Sequence, residues 1–593
     1  MKGKITILLS GLVFIVACSS QTAESPTPTP QPLAEATEAV AAPEPAATAV
    51  AATVTPEPQP TAAAICTSLA ELATDPTQLG WWNNRVFYEI FVRSFYDSDG
   101  DGIGDFNGLI EKLDYLNDGD PNTSDDLGIS GIWLMPINAS PSYHGYDVTD
   151  YFAVNSEYGT MAEFQNLLEE AHQRGIRVIV DLVLNHTSVQ HPWFQEANSD
   201  VTSPYRDYYI FEASSPGFNS PWGSEVWHRA ADGGVYYGVF WDGMPDLDYT
   251  NPDVTADMQE VIRFWLEDIG VDGFRLDAIK HLIEDGHIQE NTPSTHDWWQ
   301  GFFDYYTGIN PEALTVGEAW SATSEVVKYI GDEVNIAFEF DLAGDMIQTA
   351  RRDTNVLIAG AHDNVTSNFP PHQVAAFLTN HDQDRVMSQL LGNVDRAKTA
   401  ASLLLTGPGV PFLYYGEEVG QSGRKPDENI RTPMQWSAET NAGFTTADRA
   451  WRNPQADFDE VNVAAQTADA NSLLSHYRRL IQARSRHEAL QWGDWQEMPT
   501  QNGQLYAFLR RTADQTLLVL INLGEEPIND YRFCLSDGPL SQGSASEILA
   551  NTAAFGELSR AVAAPALNAS GGFDNYTPIA ELAPYSTYII ELK

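Results

Sequence analysis

Eight short apolar segments recur along residues 85–415, and stretches with helical periodicity separate them. In one such stretch Met258, Val261 and Trp265 share a helical face. Strands that are apolar on both faces are typical of a parallel sheet covered by helices, and eight of them predict a closed (β/α)8 barrel. The predicted strands are 85–95, 129–137, 176–184, 271–277, 313–319, 335–340, 374–379 and 410–415.

The pattern predicts an α/β protein in which the (β/α)8 TIM barrel has two additions. The barrel is expected over 81–490. A polar, aromatic-rich stretch after the third strand, 186–250, predicts an inserted loop-rich domain. Beyond about residue 490 the helical periodicity stops and alternating segments follow, so residues 491–593 predict a C-terminal antiparallel β-sandwich.

The N-terminus has the pattern of an export signal. Lys2 and Lys4 precede an apolar stretch over 5–17, which is too short to span a bilayer. Cys18, after Ile-Val-Ala, resembles the lipidated cysteine of a bacterial lipobox. Residues 1–18 therefore predict a lipoprotein signal peptide, and Cys18 a lipid anchor on the outer side of the cell envelope. An ordinary signal with an incidental cysteine is the alternative.

A tether is expected between the anchor and the barrel. Residues 19–64 are rich in Ala, Thr, Pro and Glu and contain no Lys, Arg or aromatic residue. Such a composition cannot bury a core, so a disordered linker is predicted. Extended at about 3.1 Å per residue, it could hold a domain on the order of 100 Å from the membrane, which favours a substrate too large to enter the cell.

The charge and the cysteines limit the possible partners. The net charge of −50 repels nucleic acid, so a nucleic-acid partner is excluded, while a neutral substrate, bound cations or a salty or acidic setting remain open. Cys66 and Cys534 are the cysteines besides Cys18. They could form a disulfide in an exported protein, or remain two buried thiols.

Polar side chains stand where the predicted strands end. Arg275 and Asp277 share a face of the fourth strand, and a guanidinium beside a carboxylate favours the ionised carboxylate. Taken alone, this pair is as readily a structural ion pair. In a barrel, however, all the strand ends meet at one mouth, so the whole set predicts one site. Its members are Asp181, Asn185, His186, Arg275, Asp277, Glu318, Asn380, His381 and Asp382.

These motifs resemble those of the α-amylase superfamily, glycoside hydrolase family 13. The residues that carry the resemblance are Asp181-Leu-Val-Leu-Asn185-His186, Gly273-Phe-Arg275-Leu-Asp277, Gly317-Glu318-Ala319-Trp320, Asn380-His381-Asp382 and Met244-Pro-Asp-Leu-Asp248. The resemblance implies a retaining glycosidase. Asp277 would be the nucleophile, Glu318 the general acid and base, and Asp382 the residue that favours the distorted sugar ring.

The resemblance also implies which residues bind the sugar. Tyr146 would stack under the sugar being cleaved, and the other expected substrate-binding residues are His144, Asp147, His186, Arg275, Lys280, His281, His381 and Arg385. Tryptophans of the insertion, such as Trp222, Trp227 and Trp241, could stack on further glucose units, although each could equally be core.

Two calcium sites are expected, and no organic cofactor. The first is the loop that carries Asp97, Asp99, Asp101, Ile103 and Asp105, whose alternating carboxylates resemble a calcium loop although Gly108 stands where an EF-hand has Glu. The second, implied by the resemblance, would use Asn185, Asp248 and the carbonyl oxygen of His281.

The activity within the family is less constrained. Ala278 and Lys280-His281 favour α-1,4 bonds, whereas Asp147 and Arg431-Thr-Pro-Met-Gln-Trp436 are typical of oligo-1,6-glucosidases, and the Met244–Asp248 motif is typical of members between these and neopullulanases. With the tether, these features favour a monomeric α-amylase acting on α-glucans or maltooligosaccharides. The alternatives are a cyclomaltodextrinase or neopullulanase, an oligosaccharide α-glucosidase, a glucanotransferase, or an inactive glucan-binding protein.

Overall fold

The computed structural model describes residues 65–551 and 562–593. The predicted signal peptide, Cys18 and the linker over 19–64 lie outside the described residues, so the anchor and the tether stay predictions. Within the described ranges no helix is long and apolar enough to cross a membrane.

Eight parallel strands form a closed barrel, as predicted, because the last strand pairs with the first through Phe412 and Phe87. Each strand lies within one of the eight predicted segments. In chain order they are Phe87–Ile90, Gly131–Leu134, Arg177–Leu182, Gly273–Leu276, Leu314–Gly317, Ile336–Phe338, Val374–Phe377 and Val410–Tyr414.

Helices connect the strands and cover the barrel. The helix Met161–Gln173 shows why they form: Thr160 and Glu163 make a capping box, and Phe164, Leu167 and Ala171 repeat on its buried face. The α-helices are Val92–Phe95, Phe106–Glu111, Leu113–Leu116, Met161–Gln173, Pro192–Ser199, Pro252–Arg263, Pro293–Ile309, Thr323–Val326, Phe340–Arg352, Ile358–Asn368, Val386–Gln389, Val394–Thr406, Asp427–Ile430, Val463–Thr467, Leu473–Arg486 and Glu488–Trp492, and Phe264–Ile269 is a π-helix.

The barrel interior is packed with large side chains. Phe87 and Phe412 stack with ring centroids 4.5 Å apart, and Trp133, Ile179 and Phe338 fill the space beside them. At Gly273, with φ +147°, a Cβ atom would lie 1.9 Å from the carbonyl oxygen of Leu314, so only glycine permits this strand pairing. The filled interior leaves the strand ends as the place for a binding site.

The stretch after the third barrel strand forms the predicted insertion. It contains the helix Pro192–Ser199 and a three-stranded antiparallel sheet made of Phe211–Glu212, Val235–Tyr237 and Trp227–Arg229. A separate two-stranded sheet, Asn138–Ala139 with Asp150–Val154, follows the second barrel strand.

The C-terminal region has two sheets around one apolar core. The five-stranded antiparallel sheet is, in spatial order, Asp494–Glu497, Leu505–Arg511, Thr516–Asn522, Thr587–Leu592 and Ala545–Asn551. The smaller sheet contains Phe533–Leu535, Phe573–Tyr576 and a strand from the opposite end of the chain, Cys66–Thr67. A disulfide joins Cys66 to Cys534, so the bonded alternative is the one the structure adopts.

Replacing Cys66 and Cys534 by Ser should lower the free energy of unfolding by about 2–4 kcal/mol, because the unfolded chain regains the freedom of a very long loop. Calorimetry of the double variant against the wild type measures this. The bond itself is checked by alkylating the denatured wild type without a reductant, which should leave Cys66 and Cys534 unmodified. Alkylation of both would contradict the disulfide.

Candidate active site

Three acidic side chains far apart in the sequence share one cavity at the mouth of the barrel. Asp277 and Glu318 directly follow the fourth and fifth barrel strands, and Asp382 follows the seventh. The cavity has a volume of about 300 Å³ and is lined by His144, Tyr146, His186, Phe240, Trp241, Met244, Asp277, Ala278, Glu318, Asp382, Asp427 and Arg431. All three predicted acids therefore face the same space.

Arg275 holds the carboxylates together from below. Its side chain is fully buried, and its Nη1 lies 2.8 Å from Asp181 and 2.7 Å from Asp277. Its Nη2 lies 3.0 Å from Oε2 of Glu318. Two nitrogens of one guanidinium thus contact Asp277 and Glu318, so these two carboxyl groups lie close together, as the short spacing of a retaining glycosidase requires.

Glu318 is further held by the backbone of Ala278. Ala278 has φ +49°, a left-handed conformation that costs a non-glycine residue about 1–3 kcal/mol and persists only where its surroundings impose it. Its N–H donates to Oε2 of Glu318 at 3.0 Å. Burial raises the pKa of Glu318. The negative charges of Asp277 and Asp382 raise it further, and Arg275 opposes the shift. The protonated form therefore persists above the ordinary pH range of a glutamic acid.

Asp277 and Asp382 have different surroundings. Burial raises the pKa of Asp277, and Arg275 at 2.7 Å opposes that rise. Asp382 accepts a hydrogen bond from Nη2 of Arg431 at 2.8 Å, and it lies 3.2 Å from Nε2 of His381. Burial disfavours its charge, but His381 and Arg431 outweigh burial and lower the pKa of Asp382 well below its usual range. Asp382 is accordingly an ionised group facing the sugar.

Aromatic and histidine side chains form the walls. Tyr146 stacks on His381 with ring centroids 5.5 Å apart, and His144 lies beside it. His186 packs its ring against Phe240, and its Nε2 has no hydrogen-bond partner among the described residues. Burial lowers the pKa of His186 to about 4, so this imidazole is neutral. These residues provide a flat stacking surface and polar groups for sugar hydroxyls.

Besides Arg275 and His381, which contact the catalytic acids without lining the cavity, four predicted substrate-binding residues do not line it. Asp147 accepts hydrogen bonds from Ser140 and Ser142, and Lys280 pairs with Glu290 and donates to the carbonyl oxygen of Trp320. The Nδ1 atom of His281 bonds to the carbonyl oxygen of Gln289, and its ring supports Phe240.

Arg385 is the fourth residue, and it is buried with its guanidinium over Tyr414 and Tyr415. Two of its nitrogens donate to the carbonyl oxygens of Ile430 and Tyr415 at 2.7 Å. The geometry therefore gives Arg385 a supporting role in the core, contrary to the predicted sugar contact.

Sequence reasoning missed several residues of the site. Phe240 and Met244 come from the insertion, whose irregular path no periodicity reveals. Arg431 stands in a motif that the sequence indicates only as a marker of specificity, and Asp427 pairs with it at 3.2 Å. Glu89, buried in the first strand, bonds to His381 at 2.6 Å. A charged residue inside an apolar strand was the available signal for Glu89.

The site and the fold together define a class: a barrel glycosidase with paired carboxyl groups beside an aromatic platform. Residues 89–493 match the family model for the α-amylase catalytic domain. The chain is 40% identical over 452 residues to alpha-amylase 3 of Dictyoglomus thermophilum, covering 75% of this chain and 85% of that relative. It is 32% identical over 520 residues to an oligo-1,6-glucosidase of Parageobacillus thermoglucosidasius, covering 75% and 91%.

A solved structure is similar over most of the chain. The crystal structure of an alpha-amylase from H. orenii superposes with a TM-score of 0.74 at 38% sequence identity, covering 86% of this chain and 99% of that one. The protein belongs to the α-amylase family, and it is a glycosidase.

The first predicted cation site fits its residues in part. Carboxylate oxygens of Asp97, Asp99 and Asp105 lie within 4.8 Å of one another, which suits a hard cation such as calcium. Asp101 is not among these clustered carboxylates, and it accepts the N–H of Ile103 at 2.7 Å. The backbone N–H groups of Gly100 and Gly102 each donate to Asp97 at 2.7 Å and fold the loop around it.

At the second predicted site the structure indicates a different acid. Asp248 has its Oδ1 occupied by the N–H and hydroxyl of Thr250. Asp246 is buried instead, and its Oδ2, like Oδ1 of Asn185, has no partner among the described residues. Buried acceptors without donors fit a cation, so Asp246 replaces Asp248 beside Asn185 and the carbonyl oxygen of His281 as the candidate ligand set.

Two matched variants should separate these acids. Asp246→Asn is expected to lower calcium affinity at least tenfold and to reduce the melting-temperature gain on adding calcium, because it removes a buried anionic ligand. Asp248→Asn should leave both nearly unchanged. Metal analysis and calorimetry before and after chelation provide the measurements, and equal effects of the two variants would contradict the assignment.

The pKa of Glu318 predicts a pH dependence. If its protonated form assists leaving-group departure, kcat/KM falls as pH rises through a pKa that lies above the ordinary 4.5 of this residue. An α-glucosyl fluoride, whose leaving group needs no proton, should lose this alkaline limb. Glu318→Gln should be inactive on maltooligosaccharides yet react with the fluoride. An unchanged alkaline limb with the fluoride would remove Glu318 as the acid.

Proposed function

We propose that this protein is an exported α-amylase, a retaining enzyme that hydrolyses internal α-1,4 bonds of starch-like glucans. The observation that carries the proposal is the cavity in which Asp277, Glu318 and Asp382 meet around one sugar-sized space with Arg275 behind them. The exposed tryptophans around that cavity support a polymeric substrate.

The geometry suits a double displacement. A carboxylate oxygen of Asp277 attacks the anomeric carbon while the glycosidic C–O bond breaks and Glu318 gives its proton to the leaving oxygen. A water molecule then attacks the same carbon, Glu318 takes the water proton, and Asp277 leaves as a carboxylate. Arg275 keeps Asp277 ionised for attack, and the anionic Asp382 stabilises the positive charge that develops on the ring.

Three tryptophans extend the site beyond one sugar. Among the described residues the exposed tryptophans are Trp222, Trp241 and Trp320, with 50%, 47% and 50% of their surfaces accessible. Trp241 lines the cavity, and Trp222 stacks on the cavity residue Phe240. Trp320 follows Glu318 by two residues and stacks on Phe340 at 4.5 Å.

Exposed indoles that rest on fixed partners are suited to stack on successive glucose units, as a long chain requires. Trp227, in contrast, is buried against Tyr237 and belongs to the core of the insertion.

The second candidate is an exo-acting oligosaccharide α-glucosidase. The Arg431–Asp427 pair lines the cavity and contacts Asp382 through Arg431. A charged pair at this place could bind the terminal hydroxyls of a short substrate. The similarity to an oligo-1,6-glucosidase agrees with this candidate.

A product time course separates the candidates. On amylose, internal cleavage should shorten the average chain quickly while little glucose appears, and Asp277→Asn should be inactive but folded. Glucose released alone would favour the glucosidase, and longer oligosaccharides formed from maltotriose would favour a transferase. If the wild type bound amylose without any turnover, the result would favour an inactive glucan-binding protein.

The same assay tests the tryptophans. Trp320→Ala should raise KM for amylose about threefold to tenfold, since an aromatic contact contributes about 0.5–1.5 kcal/mol, and should change maltotriose hydrolysis less. Trp320→Phe, which keeps a stacking ring, is the matched control. Equal effects on both substrates would argue against an extended binding surface.

The tether and Cys18 support a place for the enzyme outside the cell membrane. A lipid anchor at Cys18 would hold the barrel beside polymer that cannot enter the cell, and soluble products could then be taken up. Cys18→Ser should release the enzyme into the medium and abolish incorporation of labelled fatty acid. Retention of that variant in the membrane fraction would contradict the anchor.

A further inference from the structure

His381 is surrounded by hydrogen-bonding groups on both ring nitrogens. Nδ1 lies 2.6 Å from Oε1 of Glu89, and Nε2 lies 2.6 Å from the hydroxyl of Tyr146 and 3.2 Å from Oδ2 of Asp382. The histidine is fully buried, and Glu89 is 2% exposed. Neither Glu89 nor His381 lines the cavity, so Glu89 contacts the cavity residue Asp382 through this ring.

Counting protons around Tyr146 fixes the direction of these bonds. Asp181 accepts hydrogen bonds from Nη1 of Arg275 on both oxygens, at 2.8 and 3.0 Å, and from Nε1 of Trp133 at 3.3 Å, which suits a carboxylate. Burial raises the pKa of Asp181 to about 7, and Arg275 opposes that rise. The single hydroxyl proton of Tyr146 points to Asp181 at 3.1 Å. The Tyr146 oxygen must therefore accept the Nε2–H of His381.

The same reasoning applies on the other side of the ring. Oε1 of Glu89 lies 2.6 Å from Nδ1, and an ionised Glu89 accepts the Nδ1–H. Burial raises the pKa of Glu89, and His381 and Arg275 oppose that rise. A histidine that donates from both nitrogens carries a positive charge. Burial lowers the pKa of His381, but Asp382 and Glu89 outweigh burial and raise it to about 9. The charge and the hydrogen bonds are mutually consistent.

The groups that contact His381 come from several strands and loops of the barrel. Glu89 is on the first strand, and Trp133, on the second, makes a T-shaped contact with His381 with ring centroids 5.7 Å apart. Tyr146 is on the loop after the second strand, and Asp382 is on the same loop as His381. Asp181, Arg275 and Asp277 form the next layer beyond Tyr146. Two acidic side chains contact the ring. Asp382 lines the cavity and Glu89 does not.

We infer that Glu89 is a positioning residue that keeps His381 a cation, and through it keeps Asp382 ionised and oriented toward the sugar. This inference rests on the proposed glycosidase function for its kinetic consequence. A purely structural acceptor would not need a charge, because an amide oxygen can also accept the Nδ1–H. Glu89→Gln therefore removes the anion and keeps the shape and the acceptor.

In kinetics the variant should lose roughly tenfold or more in kcat, with little change in KM, because a buried cation without its anion is strongly disfavoured and Asp382 acts on the transition state. The active cation is lost as pH rises through the pKa of His381. Removing Glu89 lowers that pKa, so with an α-glucosyl fluoride, where the Glu318 limb is absent, the remaining alkaline limb of kcat/KM should move to lower pH. The rate on maltooligosaccharides and the pH profile on the fluoride are the readouts.

A matched control is available at a second buried glutamate. Glu418 is fully buried and accepts hydrogen bonds from the hydroxyls of Tyr88 and Tyr115 at 2.8 and 2.6 Å. These partners do not include His381. Glu418→Gln removes the same buried charge and should leave the pH profile in place. Equal kinetic losses and equal profiles in the two variants would reduce Glu89 to a structural residue and overturn the inference.

A double-variant comparison tests the route of action. If Glu89 acts through His381, then adding Glu89→Gln to His381→Gln should cost little more than His381→Gln alone. Full additivity of the two losses would contradict the coupling.

Nuclear magnetic resonance of ring-labelled histidine supplies a readout independent of turnover and of variant folding. In the wild type at pH 7.5, His381 should show both ring N–H protons, and the signal, assigned by its loss in His381→Gln, should titrate near pH 9. A neutral ring at pH 7.5 would overturn the inference even if the enzyme hydrolyses glucan. A cationic ring in a protein without α-glucan turnover would instead refute the proposed function alone.

Discussion

The site depends on one buried guanidinium. Arg275 is inaccessible to solvent and lies within 3.0 Å of Asp181, Asp277 and Glu318. Without it, several carboxylates would be buried together at a cost of several kcal/mol each, and they would protonate instead of serving as ions. Its geometry also limits the separation of Asp277 and Glu318, because Nη1 contacts Asp277 and Nη2 contacts Glu318. Charge balance and spacing therefore come from the same side chain.

The remaining charges extend this balance outwards. Arg431 and His381 neutralise Asp382, and Asp427 and Glu89 in turn neutralise them. Cations and anions thus alternate from the barrel interior to the rim. Glu318 is the acid whose burial and anionic neighbours favour its protonated form, while Asp382 is held as an anion. The same residue types acquire different protonation because their neighbours differ.

The rest of the fold keeps this arrangement rigid. The stacked aromatic core of the barrel fixes the strand ends, so residues on six strands or their following loops approach within hydrogen-bond distance. The insertion adds Phe240, Trp241 and Met244 as one wall. The C-terminal sheets and the Cys66–Cys534 bond join the two ends of the described chain away from the cavity residues.

The sequence by itself determined the barrel and the acids. Eight apolar runs required a parallel sheet, and a residue that directly follows a strand in such a sheet must stand at the mouth, which located Asp277, Glu318 and Asp382 before any coordinates. In segments without regular secondary structure, the spacing of residues does not show which side chains point inward. Asp246 and Asp248 are equivalent by spacing, yet only the fold shows that Asp246 turns inward.

The tertiary structure alone decided the partners. Arg385 follows the seventh-strand motif but faces carbonyl oxygens of the core, and Glu89 lies in an ordinary apolar strand but meets His381, 292 residues away. Cys66 pairs with Cys534 across 468 residues of chain. Local patterns report which face of an element is buried. They do not report which distant side chain shares that buried space, and the protonation states of this site depend on that contact.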